Sequence, residues 1–533
     1  LLWGTEQVPL PVPTVELIRA LQARCTTRRS NAADGRRLQQ WLAALPQVPH
    51  EPALALECLA WAAALPALAL SVPPETWWAA IGALARATGQ ARDLPPTAWL
   101  CRQWLAVELP ATLAYWLPEL RFAAVEAERR TQPGDAAAIL GGEALPAAAD
   151  AAQVRPLLAS LVRTAALCDR TPNDALGPRP QDVTALWTAA LRLARPDGRQ
   201  VFSTHVASPA AHDWLLPWWS REPATARAAQ ALWGKRAGAP RATSAGELLP
   251  GSALAEDNAV AVLRSGWGAG ELLLAVDFAA PDLPVELHCG RAAVLSGSWL
   301  PDVRCGGRRL DPAGDWECVC WFTDEDGDYL ELEMPLSGGV RIQRQFYLAR
   351  RDRFLYVADA LLNSQPTTWE YVARLPLASG VTGQGETETR EARLQHSRSV
   401  AGPRTAARVF PLALGEWRVD RAGGDLECIE HQLQLRLRGP GRALYVPLWF
   451  DLDARRSNRP LTWRRLTVAE RLQIVPSDVA VGYRVQVGRQ QWVAYRSLAH
   501  RCDRTVLGAH VVSEFLLGRF MPCGEVEPLV EVE

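Results

Sequence analysis

The spacing of apolar residues changes once along this chain, near residue 240, and the order of the two patterns limits what the chain can fold into. From residue 1 to about 240, Ala, Leu and Trp recur at helical spacing. From about 255 to the end, apolar and polar residues alternate in short runs broken by Gly and Pro. Helices first and strands second predict a multidomain α+β chain: an N-terminal all-α domain of helical hairpins over residues 1–240, then a large antiparallel β-sandwich over residues 241–533. With 533 residues, 48% of them hydrophobic, the chain has the apolar surface for more than one core.

In the first part, Leu38, Trp41, Leu42 and Leu45 fall at i, i+3, i+4 and i+7, with Asp34 placed to cap the helix start. Trp77, Trp78, Ile81 and Leu84 follow Pro73-Pro74 and close at Gly89. Trp99, Leu100, Trp104 and Leu105 follow Pro95-Pro96. Further units carry Leu157, Leu158, Leu161 and Val162, then Val183, Leu186, Trp187 and Leu191. These periodicities amount to about eight helices, and their apolar faces predict stacking into a solenoid or a closed α/α toroid. The apolar stretch from Ala53 to Val72 is interrupted by Glu57 and Pro66, and reads as two core helices rather than a membrane span.

In the second part, the run from Trp316 to Phe322 alternates out and the run from Tyr329 to Met334 alternates back, a hairpin about an acidic turn at Asp324 to Asp328. Alternation places Cys318 and Cys320 on one strand face. The acidic turn fails as a calcium loop, because its glycine comes one position early and Pro335 stands where a bidentate Glu is needed. Val340, Ile342, Phe346 and Leu348 form one face of the next strand, and the turn at Arg350 to Arg353 leads into Phe354 to Asp359. More strands are expected over 369–377, 432–437, 443–450, 483–487 and 492–498, with an exposed loop or ragged hairpin over 380–403.

Charge excludes some partners. The 57 basic residues balance 58 acidic ones, so no net field recruits nucleic acid or an acidic membrane face. Lys235 is the only lysine, so nearly all the cations are arginine forks. Such forks suit carboxylate or sulfate ligands, and they are equally a footprint of GC-rich coding. The 11 cysteines are odd in number and scattered without a regular framework, which argues for a reducing compartment, and the lack of a CxxC pair argues against zinc. No Gly-rich phosphate loop and no Gly-x-Ser-x-Gly elbow is present, and no cofactor or metal is expected. The start, Leu1-Leu2-Trp3-Gly4, shows no secretory pattern. A cytoplasmic setting is therefore expected, or an exported one if a signal was removed.

Three segments carry a family resemblance. Leu191 to Ser203 (LRLARPDGRQVFS), Ala261 to Trp267 (AVLRSGW) and the pair of strands from Val340 to Ala360, with its Arg and terminal Asp, resemble the heparinase II/III-like polysaccharide lyases. The resemblance implies an α/α toroid joined to a β-sandwich, and cleavage of an acidic, uronate-containing polysaccharide or oligosaccharide by β-elimination. That chemistry needs a base, a group that neutralises the uronate carboxylate and a proton donor for the leaving oxygen. The candidates are His288, His205 or His212 as base, Tyr347 as acid or base, and Arg264 or Arg344 as neutraliser. Trp218, Trp219 and Trp267 are candidates for stacking on sugar rings. The chain departs from the family where active members carry a Gly-His-x-Asp type of segment: it reads Leu287-His288-Cys289-Gly290, with one histidine and no following Asp. That departure supports a second reading, a catalytically degenerate relative that binds glycans or a protein. A third, a glycoside hydrolase, would need a carboxylate pair that no motif supplies.

Overall fold

The computed structural model describes residues 1–2, 4–5, 8–27, 32–45, 51–118, 138–141, 143–169, 178–203, 223–233, 248–396, 404–420 and 423–533. The chain divides into two units, Leu1–Leu249 and Pro250–Glu533.

The first unit is helical, with nine α-helical segments among the described residues. The helix Pro52–Leu68 opens on a proline, whose missing N–H costs nothing in a first turn, and buries eleven of its residues. It is one helix where the sequence suggested two. Pro66 falls in the last turn, so only the end of the hydrogen-bond ladder is disturbed. Glu57, which looked like an interruption, accepts hydrogen bonds from Thr14 Oγ1 (2.6 Å) and Trp41 Nε1 (3.1 Å), so the half-buried carboxylate ties neighbouring helices together. Asp34 also differs from expectation. It lies inside the first turn of the helix Ala32–Ala44 and pairs with Arg24 Nε at 3.1 Å, rather than capping from outside. Trp99–Arg102 runs into a π-helical turn, Gln103–Glu108, and on into Leu109–Trp116. The widened turn lies directly ahead of Pro110, whose ring would clash with an α-helical carbonyl at Ala106. No described helix is long and apolar enough to cross a membrane.

The second unit is antiparallel β structure. Its first sheet runs in order β1 (Ala253–Ala255), β2 (Val260–Arg264), β3 (Leu272–Asp277), β4 (Pro284–Cys289) and β5 (Ala292–Ser298). Next come β6 (Asp302–Cys305), β7 (Arg308–Leu310), β8 (Glu317–Thr323), β9 (Gly327–Leu336), β10 (Val340–Ala349), β11 (Phe354–Pro376), β12 (Val381–Gly385), β13 (Ala392–His396), β14 (Arg404–Pro411), β15 (Gly424–Ile429) and β16 (Gln432–Asp451). These form the eleven-stranded second sheet, with the main path β12-β13-β14-β16-β11-β10-β9-β8. The rest are β17 (Leu461–Leu466), β18 (Val468–Glu470), β19 (Gln473–Ile474), β20 (Ala480–Val487), β21 (Gln490–Ser497), β22 (Arg504–Val506), β23 (Ala509–Val511), β24 (Phe515–Phe520) and β25 (Val526–Val532). They make a third sheet, β17-β20-β21-β24-β25, and a small fourth, β19-β18-β22-β23.

Period-two alternation explains the layering. Ile342, Phe346, Val357 and Leu361 of the second sheet share a core with Leu263, Leu274 and Leu287 of the first. Their alternates, Tyr347, Phe354, Tyr356 and Ala358, share another core with Trp463, Tyr483 and Trp492 of the third. The second sheet is thus covered on both faces.

Two strand predictions merge into longer elements. Residues 354–359 and 369–377 belong to one strand interrupted only by an irregularity between Leu362 and Thr367, and 432–437 joins 443–450 through Gly439 and Gly441. Part of the 380–403 segment is a hairpin, β12 against β13. Cys318 and Cys320 do not share a face. A bulge between them leaves Val319 as the extra residue, so Cys318 packs on the first core and Cys320 on the second.

Candidate active site

On the first sheet, Ala261, Leu263, Leu274 and Leu287 point into the shared core, so the residues between them point the other way. Register then brings together side chains far apart in sequence. Arg264 of β2 stands opposite Leu273 of β3, and Leu273 opposite His288 of β4. One cross-strand row therefore carries Arg264 and His288 on a common face, separated by one intervening strand or about 10 Å between backbone axes. Glu286, two residues before His288, shares that face and places Oε2 at 3.3 Å from His288 Nε2.

Local structure holds the row. The β4–β5 turn places Gly290 at φ 57°, and a Cβ there would meet Ala269 O at 3.1 Å, so glycine satisfies both the turn and the close approach. Ser252 Oγ accepts from Arg264 N at 2.9 Å. The Arg264 guanidinium lies over the Trp267 ring at 4.7 Å. Gly251 packs against the arginine stem: a Cβ there would come within 3.0 Å of Arg264 Cδ. Burial pushes the Arg264 guanidinium down to about 9, which leaves it cationic at neutral pH. Alongside, Glu271 accepts from Ser265 Oγ at 2.7 Å and pairs with Arg353 Nη1 at 3.2 Å.

Other sequence candidates occupy different places. Arg344 and Asp359, in register on β10 and β11, are both fully buried in a bidentate pair at 2.7 and 2.8 Å. Arg344 Nη1 donates to Trp299 O (2.9 Å), its guanidinium stacks on the Trp299 ring (3.7 Å), and Tyr371 donates to Asp359 Oδ2 (2.8 Å). This arginine is committed to the core and is set aside as a neutraliser. Tyr347 is set aside as well. It is fully buried between the second and third sheets, its ring pressed against the Gly327 backbone so closely that a Cβ there would lie 2.4 Å away. Burial pushes its phenol well above the usual range. Trp267 is buried against Arg264. His205, His212, Trp218 and Trp219 lie outside the described residues. Among the described residues, no group of three or more His, Cys, Asp or Glu side chains is arranged to hold a metal ion. Sequence reading missed Glu286; its signal was the two-residue spacing to His288 on an alternating strand.

No protein-family model matches the sequence, and no curated protein matches it. Solved structures do share the fold. A heparan sulfate lyase, HepC from Pedobacter heparinus, superposes with a TM-score of 0.54 at 11% identity, covering 84% of this chain and 75% of that one. A crystal structure of heparinase III gives a TM-score of 0.53 at 9% identity, covering 86% and 78%. At these identities the likeness is one of architecture, and the chain has a heparinase-like, multidomain α+β fold.

Proposed function

We propose that this chain is a polysaccharide lyase that cleaves a uronate-containing acidic polysaccharide by β-elimination, with His288 as base and Arg264 as the cation that meets the uronate carboxylate. The observation that carries this reading is the cross-strand row itself, which sets a histidine held by Glu286 on the same face as a desolvated arginine. In the tautomer that donates Nε2–H to Glu286, Nδ1 is the basic nitrogen. That nitrogen takes the proton from the carbon beside the carboxylate, and Arg264 stabilises the negative charge that spreads onto the carboxylate oxygens. The electron pair forms a carbon–carbon double bond as the glycosidic C–O bond breaks. The imidazolium then returns its proton to the leaving oxygen. The helical unit, read as toroid-like, is the expected carrier of further sugar contacts.

A second reading is favoured by one observation: His288 and Arg264 are 3% and 2% exposed. Such burial suits a degenerate relative that keeps the row as core and binds glycan without cleaving it. Incubation of the full chain with a panel of acidic polysaccharides, followed by ultraviolet absorbance of unsaturated uronate ends, separates the two. A rise in absorbance with any substrate supports the lyase. Binding of a substrate by calorimetry with no rise supports the degenerate relative.

A further inference from the structure

The third sheet has one face in the aromatic core, through Trp463, Tyr483, Val485 and Trp492. Its outer face carries the alternates, and their arrangement is costly in isolation. Arg464 of β17 and Arg484 of β20 are direct cross-strand partners. Like charges in that relation repel. Neither arginine makes a salt bridge to a carboxylate among the described residues. Arg484 instead donates to Gln491 Oε1 and lies over the Phe520 ring at 5.1 Å. The carboxylate of Glu416 accepts from Thr462 Oγ1 at 2.5 Å. Thr462, Arg464, Arg484 and Gln486 line a shallow depression of about 70 Å³. That volume is well below the ~300 Å³ at which small-ligand sites begin, and suits a single small ion group rather than a larger ligand. Thr462 spends its hydroxyl hydrogen on Glu416 and Gln486 Nε2 donates to Gly488 O at 3.1 Å, so the donors the depression offers an oxyanion are the two guanidinium forks.

We propose that this face binds an oxyanion, sulfate or carboxylate, between Arg464 and Arg484, with Phe520 holding the Arg484 guanidinium in place. The anion neutralises the facing charges and explains why two arginines are tolerated opposite one another. Its source is either an acidic group on a sugar chain or a free inorganic anion, and the site does not depend on elimination chemistry at His288.

The test uses the full chain in three arms. In the first, thermal unfolding is followed in sodium sulfate and in sodium chloride of matched ionic strength. Sulfate is expected to raise the transition of the wild type above that in chloride, and Arg464→Gln is expected to lose that excess while folding normally, since Arg464 is exposed. In the second, calorimetric titration with a sulfated uronate oligosaccharide is compared with its desulfated form and with inorganic sulfate. Affinity at least about tenfold tighter for the sulfated sugar than for inorganic sulfate assigns the site to glycan, and equal affinity assigns it to the free anion. In the third, Arg484→Gln and Phe520→Ala are expected to weaken the bound anion, whereas His288→Ala leaves it unchanged. A sulfate effect no larger than chloride in the wild type, or one that persists in Arg464→Gln and Arg484→Gln, overturns the proposal.

Discussion

At the scale of single residues, the same side-chain type has opposite fates, decided by what lies across the strand. Arg344 meets Asp359 in register and becomes a neutralised core element, while Arg264 stands opposite Leu273 with its guanidinium over the Trp267 ring. Replacing Arg344 by Leu is therefore expected to cost about 3–5 kcal/mol of stability, because Asp359 would remain buried without its partner. Urea unfolding of the variant checks this, and a loss below about 1 kcal/mol would contradict it. The alternation of β10 already placed Arg344 among Ile342 and Phe346, so its buried character was legible. What sequence did not carry was the alignment of Arg264 with His288, which depends on two turns and the register of three strands. Tyr347 was singled out for its chemistry alone, and nothing local indicated that both faces of its sheet are covered.

At the scale of elements, strand period was readable, and irregularities were not. One extra residue at Val319 separates Cys318 from Cys320 and sends them to different cores, although the run looks regular. The β18–β19 hairpin shows the same problem in its turn. Arg471 and Leu472 both have positive φ, 50° and 65°, where Asn-Gly is the usual solution, and Leu472 is fully exposed. Changing the pair to Asn-Gly removes backbone strain and no packing, so a stabilisation of about 1 kcal/mol is expected from urea midpoints. A destabilised double variant would show that the turn residues make contacts worth more than the strain.

At the scale of the whole molecule, the helices-then-strands order was legible because the two periods differ so plainly. The second unit's core between the second and third sheets gathers Tyr329, Tyr347, Tyr356, Tyr445 and Tyr483. Burial raises all five phenols above their ordinary value. Each proton is held more tightly in the folded chain than in the unfolded one. Their contribution is therefore complete below about pH 10 and is lost as pH rises above it. Tyrosinate absorbance is expected to appear together with loss of circular dichroism; ionisation near pH 10 with the fold intact would contradict the burial of this core.

The most direct test of the account is the initial rate of unsaturated-end formation by His288→Ala against wild type, with both proteins shown folded by circular dichroism. On a substrate that the wild type cleaves, the variant is expected to be at least about a hundredfold slower, the loss that follows removal of a general base. An unchanged rate would contradict the assignment of elimination to the Arg264–His288 row.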